Sequence, residues 1–192
     1  MVNTNTAQNL HAERGTSMIE VLVTIVILSF GLLGLAGLQS RVQVSEIEAY
    51  QRAQALLLLE DMANRVASNR NAAATYVTDP AAPLGVGNSC SASSTASRQV
   101  QDSCEWSKAL LGAGEVSGTN NVGAMTGGRG CVKSLGSGEY LITVAWQGIW
   151  PIPASASRTD CGQDAYNGTG SACVNDLCRR TLSTIVRIAT LI

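Results

Sequence analysis

The chain has 192 residues, of which 13 are basic and 14 are acidic, so its formal net charge is −1. Charged residues make up only 14% of the chain, and the basic residues form no stripe or cluster. These figures exclude the basic surface typical of nucleic-acid-binding proteins, so no nucleic-acid partner is expected. The length suits one domain with an appended segment.

Residues 21–40 form an apolar run without a single charge. As a helix with ~1.5 Å per residue the run is about 30 Å long, which matches the hydrocarbon core of a bilayer. A cleaved secretory signal has a shorter apolar core and a small-residue cleavage site, and this run fits neither feature. An ordinary single-span anchor explains the length of the run but leaves unexplained the carboxylate of Glu20, immediately before it.

Glu20 is an expensive residue at the edge of a membrane span, and such residues are functional candidates by default. The positive end of the helix dipole can stabilise its carboxylate, because Glu20 is predicted to lie in the first turns. A free α-amine is the second possible partner. Cleavage of the chain after Gly15 would create one on Thr16, either within the same helix or facing Glu20 of a neighbouring copy.

The segment GTSMIE at residues 15–20, followed by the apolar run, resembles the class III signal of type IV pilins. The resemblance implies that a prepilin peptidase cuts after Gly15 and that the new N-terminal residue, Thr16, is N-methylated. It also implies that Glu20 sets the registration of subunits during assembly. The first mature residue of the family is usually Phe, so Thr16 departs from the pattern.

Two further stretches, GLLGLAGLQ at residues 31–39 and YLITVAWQG at residues 140–148, resemble the minor pilin family called type IV pilus modification protein PilV. With the leader and the last strand, the resemblance covers about half of the chain. It supports an α+β pilin fold, in which a long N-terminal helix packs on a small antiparallel sheet with disulfide-bonded loops.

Three glycines, Gly31, Gly34 and Gly37, interrupt the apolar run. Each weakens a helix by up to about 1 kcal/mol relative to Ala. They predict either a soft spot that loosens when the helix packs in a filament, as the pilin resemblance implies, or simple close packing between helices.

The helix is expected to continue without a break from residue 16 to residue 68, with residues 21–40 in the membrane or filament core and residues 41–68 amphipathic. This gives a helix of about 75–80 Å. An apolar face is predicted at helical spacing, at Ile47, Tyr50, Ala53, Leu57, Met62 and Val66. The heptads are too few and too irregular for a coiled coil.

Residues 69–192 are expected to form a periplasmic globular pilin domain. It begins with a loop over residues 69–98 and a short helix over residues 103–111 that Ser103 could cap. A flexible glycine-rich loop follows over residues 112–138. Alternating apolar patterns predict three antiparallel strands, at residues 130–135, 139–147 and 180–188. Leu141, Thr143 and Ala145 share one sheet face, and the helix is expected to cover the sheet.

Six cysteines occur, all of them in the globular domain: Cys90, Cys104, Cys131, Cys161, Cys173 and Cys178. An even number in a Gly- and Ser-rich region predicts disulfides in an oxidising compartment. A zinc site is the alternative, but it needs closely spaced ligand pairs or histidines. The nearest spacing has four residues between two cysteines, and the one histidine, His11, would be removed with the leader.

Six cysteines allow about 15 pairings. Cys90–Cys104 closes a local loop and is preferred. Cys131 and Cys178, if they lie on strands that flank the central one, would be ~9–10 Å apart, too far for a bridge. Cys131–Cys161 and Cys173–Cys178 are therefore the preferred remaining pairs.

No catalytic, cofactor-binding or metal-binding residue is predicted. The mature chain would lack histidine, which excludes His-based triads and His-ligated metals. The acids Asp160, Asp164 and Asp176 have no EF-hand spacing and are expected to be solvated loop residues. The tryptophans Trp106, Trp146 and Trp150 are expected in the core or at subunit contacts. The chain is therefore not expected to be an enzyme.

The expected function is that of a minor pilin, which helps to prime pilus assembly and forms part of the tip complex, supporting adhesion and twitching motility. The resemblance implies other minor pilins, the major pilin, a tip adhesin and the prepilin peptidase as partners. It also implies a location first in the inner membrane, with the C-terminal domain in the periplasm, and then at the pilus tip. A minor pseudopilin of type II secretion and a membrane-anchored periplasmic binding module are the alternatives, and a periplasmic enzyme is more remote.

Overall fold

The computed structural model of the chain describes residues 17–87, 90–118, 120–121, 123, 125–152 and 159–189. The chain forms two compact units, Met1–Gln43 and Val44–Ile192. The predicted leader at residues 1–15, with the predicted cleavage residue Gly15, lies outside the described residues, and so does Thr16.

A single helix of 51 residues, α1 (Met18–Ser68), begins in the first unit and ends in the second. Neither proline nor a charge cluster interrupts it, and its three glycines are helical. The backbone then tightens, because the N–H group of Ala72 bonds to the carbonyl of Asn69 at 3.0 Å. A 3-10 helix, Arg70–Tyr76, follows. The predicted long helix is confirmed.

The buried face of α1 differs in part from the predicted one. Met62 and Val66 are buried as expected, but Ile47, Tyr50 and Leu57 are about half exposed, and Ala53 is exposed too. The face that enters the core has spacings of three and four residues and consists of Gln51, Ala55, Leu58, Leu59, Met62 and Val66. Two apolar faces share the helical period, so periodicity alone does not tell which one the sheet covers.

A second helix, α2 (Arg98–Leu110), begins five residues before its predicted start. Its cap is Ser97, whose hydroxyl accepts a hydrogen bond from the N–H group of Val100 at 3.4 Å. The prediction that Ser103 caps this helix is wrong. Ser103 lies within the helix, and its hydroxyl accepts a hydrogen bond from the side-chain amide of Gln99. Several serines precede the helix, and any of them has the chemistry of a cap.

The main sheet has four antiparallel strands in the order β1-β4-β5-β6. The two-residue strand β1 (Leu84–Gly85) lies in the segment predicted as a loop. The other three confirm the predicted strands to within one residue at each end: β4 (Arg129–Gly136), β5 (Glu139–Gln147) and β6 (Arg179–Arg187). A two-stranded hairpin, β2 (Val116–Ser117) and β3 (Asn120–Asn121), forms in the glycine-rich segment.

The turn between β4 and β5 needs its glycines. Gly136, Ser137 and Gly138 all have positive φ angles, of 88°, 52° and 75°. Glycine adopts these angles without the steric penalty that a Cβ brings. The turn joins two strands that stay in register from Arg129↔Ala145 to Ser134↔Tyr140.

The two faces of β5 pack against different parts of the chain. Tyr140, Ile142, Val144 and Trp146 join the main core, together with the buried face of α1 and with Trp106 and Leu110 of α2. Ala145 lies on the opposite face, in a small cluster with Cys131, Cys161 and Tyr166. The residues singled out from the sequence, Leu141, Thr143 and Ala145, thus do share a face, but α1 covers the other one.

Helix α2 sits very close to β4. A Cβ atom added to Gly130 would overlap the indole ring of Trp106, so only glycine fits there. The indole N–H of Trp106 donates to the carbonyl of Leu58 in α1 at 2.9 Å. Trp106 therefore joins both helices to the sheet.

Candidate functional site

The first turn of α1 places Glu20 at the positive end of the helix. The helix begins at Met18, and the backbone N–H of Glu20 donates to the carbonyl of Ser17 at 2.9 Å. A carboxylate in a first turn interacts favourably with the helix dipole, typically by about 0.3–1 kcal/mol. One of the two stabilising interactions expected for Glu20 thus has the geometry that it needs.

The side chain of Glu20 is exposed and forms no hydrogen bond or ion pair with any residue between 17 and 189 that the structure describes. The predicted amine partner on Thr16 lies outside the described residues. A carboxylate next to an apolar helix needs a cation or water, because burial without either is costly. Its role in registration therefore stays a prediction.

The apolar segment of α1 has no partner within the described chain. Every residue from 17 to 43 is exposed, including Phe30 at 72% and Leu33 at 69%. An 18-residue window of the helix has a mean hydropathy of 2.6. By length and composition alone, the helix could cross a membrane.

Gly31, Gly34 and Gly37 lie in regular helix, and a Cβ atom at any of the three would meet nothing within 4 Å. No contact among the described residues therefore requires glycine at these positions. Both the predicted soft spot and the alternative of close helix packing remain predictions.

All six cysteines are paired, and the three disulfides are the preferred ones. Cys90–Cys104, Cys131–Cys161 and Cys173–Cys178 have Cα–Cα distances of 5.2, 5.8 and 5.2 Å. The first ties α2 to the preceding loop. The second fastens the loop around Cys161 to β4, on the sheet face that α1 does not cover.

A buried ionic network under α1 was not predicted from the sequence. Asp102 of α2 is 1% exposed. One of its carboxylate oxygens accepts from Arg65 at 2.9 Å and from Arg98 at 3.0 Å, and the other accepts from the hydroxyl of Tyr76 at 2.5 Å. The signal was present in the spacing, because Asp102 stands four residues before Trp106 and so lies on the buried face of α2.

Two groups in this network titrate abnormally. Burial acts to lower the pKa of Arg65, but its bonds to Glu105, Asp61 and Asp102 outweigh burial and raise it. Burial raises the pKa of Tyr76 above 10.0, and its hydrogen bond to Asp102 raises it further. Both groups therefore keep their protons at any physiological pH.

Two acids of the last loop, Asp160 and Asp176, form hydrogen bonds or ion pairs with other residues of the described chain. Asp176 accepts a hydrogen bond from the N–H group of Asp164 at 2.8 Å and pairs with Arg179 at 3.1 Å. Asp160 pairs with Lys133. Within the described ranges, no three metal-ligating side chains come together.

Of the three tryptophans, Trp106 and Trp146 are buried in the core and Trp150 is 60% exposed.

Comparisons with protein-family models, with curated proteins and with solved structures find no match.

Proposed function

We propose that this chain is a minor pilin of the type IV pilus, which acts by packing its apolar helix among other helices and not by catalysis. The observation that carries the proposal is Glu20: a carboxylate without a partner in the described chain, in the first turn of a helix whose apolar N-terminal half, up to residue 43, is exposed throughout. The helix leads into a disulfide-bonded α+β unit.

The missing partner of Glu20 is the first step of the argument. Cleavage after Gly15 would leave the α-amine of Thr16 four residues from Glu20. In the low-dielectric interior of a membrane or filament, such an amine and carboxylate attract each other more strongly than in water. A one-step offset between identical or related helices would then be favoured over other offsets. Cleavage would thus place beside Glu20 a positive charge that the described residues do not provide.

The exposed apolar residues are the second step. Burial of one Val, Leu, Ile or Phe side chain contributes roughly 1.5–3 kcal/mol, and this helix exposes more than a dozen such residues between Val21 and Val42. A bilayer satisfies them before assembly, and neighbouring pilin helices satisfy them afterwards. The same surface thus serves for anchoring in the inner membrane and for packing in the filament.

The disulfides support one orientation of the chain in the membrane. Thiols pair and stay paired in an oxidising compartment such as the periplasm, so the unit that holds them would lie outside the cytoplasm and residues 1–15 inside. The partners proposed from the pilin resemblance are the prepilin peptidase, the other minor pilins, the major pilin and a tip adhesin. In the tip complex the chain would help to prime assembly and would support adhesion and twitching motility.

Two other functions share some of these features. A minor pseudopilin of type II secretion would have the same cleavage site and the same carboxylate. A membrane-anchored binding module would keep its N-terminal residues and would not depend on Glu20. Recovery in sheared surface filaments separates a pilin from a pseudopilin, and processing separates both from the anchored module.

The test is the intact mass and the N-terminal peptide of the protein purified from its native host. A chain that begins at Thr16, with or without one added methyl group, supports the proposal. A Gly15→Leu variant is the matched control and should keep residues 1–15. A wild-type chain that keeps residues 1–15 in cells with active prepilin peptidase overturns the proposal and favours the anchored module.

A further inference from the structure

Strand β6 is an edge of the main sheet, with β5 as its neighbour. The N–H of Ile188 bonds to the carbonyl of Gly138, and the N–H of Gly148 bonds to the carbonyl of Cys178, each at 2.8 Å. In the same register, Val186 pairs with Tyr140. Since hydrogen-bonded pairs alternate along an antiparallel ladder, the even-numbered residues of β6 bond to β5. The odd-numbered residues direct their backbone N–H and C=O groups away from the sheet.

Three of these outward residues, Ser183, Ile185 and Arg187, form no backbone hydrogen bond with any part of the described chain. The side chain of Ile185 is 50% exposed. Most protein sheets protect such an edge with inward charges, proline or a bulge, but the sequence here is STIVR, with no proline and with its only charge at the end. Among the described residues, none pairs with Ser183, Ile185 or Arg187 along this edge, so these positions are available to another strand.

A cavity of about 660 Å³ adjoins the start of β6 within the same folded unit. Its wall contains Thr181 and Leu182 of β6 and four residues of α1: Ser45, Glu48, Ala49 and Arg52. Trp146 and Ile152 contribute apolar surface to it. A peptide that extends along the outward edge of β6 would therefore enter this cavity at one end.

The charges in the cavity wall favour an anion. Arg179 is paired with Asp176 at 3.1 Å, and Arg180 with Glu48 at 3.4 Å. Arg52 has no hydrogen bond or ion pair among residues 17–189 as far as the structure describes them, and its side chain is exposed. The wall thus has one guanidinium group more than it has carboxylates to pair with it.

We propose that the β6 edge and this cavity together bind an extended peptide of another protein, which adds to β6 as an antiparallel strand and places a carboxylate beside Arg52. Antiparallel pairs are slightly more stable than parallel ones, and in this direction the C-terminal end of the peptide reaches the cavity. The carboxylate is either that of an Asp or Glu side chain or the terminal one. Backbone bonds give affinity in such strand addition, and the pocket gives specificity.

A second copy of this chain is a poorer occupant. Strand β6 carries three arginines, Arg179, Arg180 and Arg187, and no acid. Two such strands side by side would gather like charges along one edge, which destabilises cross-strand pairing. The proposal concerns only the unit Val44–Ile192 and holds whether or not the apolar helix enters a filament.

The test begins with selection from a display library of random peptides of about ten residues with free C-termini, against the full chain in detergent micelles. We expect the selected peptides to alternate β-branched residues with others and to carry an acid near the C-terminal end. Bound peptide should slow hydrogen exchange at the amides of Ser183, Ile185 and Arg187. The amides of Thr184 and Val186, already bonded to β5, should change little.

Three variants identify the contacts. Ile185→Pro removes one outward N–H group, while the matched control Ile185→Thr keeps it. We expect Ile185→Pro to weaken binding of a selected peptide by about tenfold or more and Ile185→Thr to change it by less than about threefold. Arg52→Gln should weaken the binding of acidic peptides by about tenfold and should hardly change the binding of their neutral analogues. Amidation of the peptide C-terminus tells a terminal carboxylate from a side-chain one.

Three results would overturn the proposal. The first is the absence of any enriched peptide. The second is equal binding of enriched peptides to wild-type protein and to a correctly folded Ile185→Pro variant. The third is concentration-dependent dimerisation of the wild-type chain that Ile185→Pro abolishes, because the edge would then belong to a second copy. Circular dichroism of each variant excludes misfolding as the cause.

Discussion

The two halves of α1 differ in how many of their side chains are buried or paired within the described chain. Between residues 44 and 68 the helix buries Ala55, Met62 and Val66 completely and forms ion pairs through Arg65. Between residues 17 and 43 the same helix buries nothing, and its carboxylate at Glu20 has no partner in the described chain. The first unit therefore depends on its surroundings, whereas the second, Val44–Ile192, holds its own core.

The largest expected effect concerns the exposed half of α1, residues 17–43. If the proposed function is right, Glu20→Ala should lower incorporation into sheared filaments by more than about tenfold, because it leaves the α-amine of Thr16 as an unpaired charge in a low-dielectric interior, at a cost of about 3–5 kcal/mol. Glu46→Ala, which removes an exposed acid from the second half, is the control and should assemble normally. Immunoblots of filament and membrane fractions measure both. Normal recovery of the Glu20 variant in filaments would contradict the registration role.

The next prediction concerns the packed half of α1, residues 44–68, and the ion pairs of Arg65. Asp102→Ala should lower the free energy of unfolding by about 3–5 kcal/mol, because it leaves Arg65 and Tyr76 without their buried partner. Guanidinium unfolding of the full chain in detergent, followed by tryptophan fluorescence, measures the change. Glu105→Ala removes another partner of Arg65, but this side chain is 62% exposed, so it should cost less than about 1 kcal/mol. Equal costs for the two variants would show that burial does not govern the network.

The disulfides should differ according to the length of chain that each one closes. Replacement of Cys131 and Cys161, which are 30 residues apart, by serine should cost about 3–4 kcal/mol. The same replacement of Cys173 and Cys178, which are 5 residues apart, should cost about 2 kcal/mol. Unfolding of each double variant measures the cost. The reverse order would mean that strain or residual structure, and not loop closure, determines the contribution.

The smallest expected effect is on the free energy of unfolding at alkaline pH. The pKa of Tyr76 is raised in the folded chain, so the unfolded chain loses this proton first as the pH rises above 10.0. Stability from this hydroxyl is complete below that pH and declines above it. The slope of the unfolding free energy against pH should therefore be shallower in Tyr76→Phe than in wild type above pH 10.0. An unchanged slope would assign the alkaline loss to other groups.

Local pattern predicted much of the fold. The apolar run and the absence of proline gave α1, and β-branched alternation gave β5 with its correct ends, Glu139 and Gln147. The disulfide pairs followed from spacing and from the width of a sheet. These features depend on residues near one another in sequence, or on a single geometric limit.

The features that were missed depend on contacts distant in sequence. Only the position of the sheet determines that Leu58, and not Leu57, is buried. Strand β1 exists because Leu84 pairs with Gly130, and two residues are too few to show a period. The network around Asp102 joins three segments of the chain. Of the candidate functional site, the sequence predicted the place of Glu20 at the helix start, but no sequence pattern marked the open edge of β6.

The placement of the tryptophans has a practical consequence for spectroscopy. All three belong to the second unit, so tryptophan fluorescence does not report directly on the surroundings of the apolar helix. Trp106 and Trp146 should resist quenching by acrylamide, while Trp150, at 60% exposure, should be quenched readily. Its carbonyl accepts a hydrogen bond from Arg180, in the wall of the cavity beside β6. The fluorescence of Trp150 should therefore report on changes in the cavity beside β6.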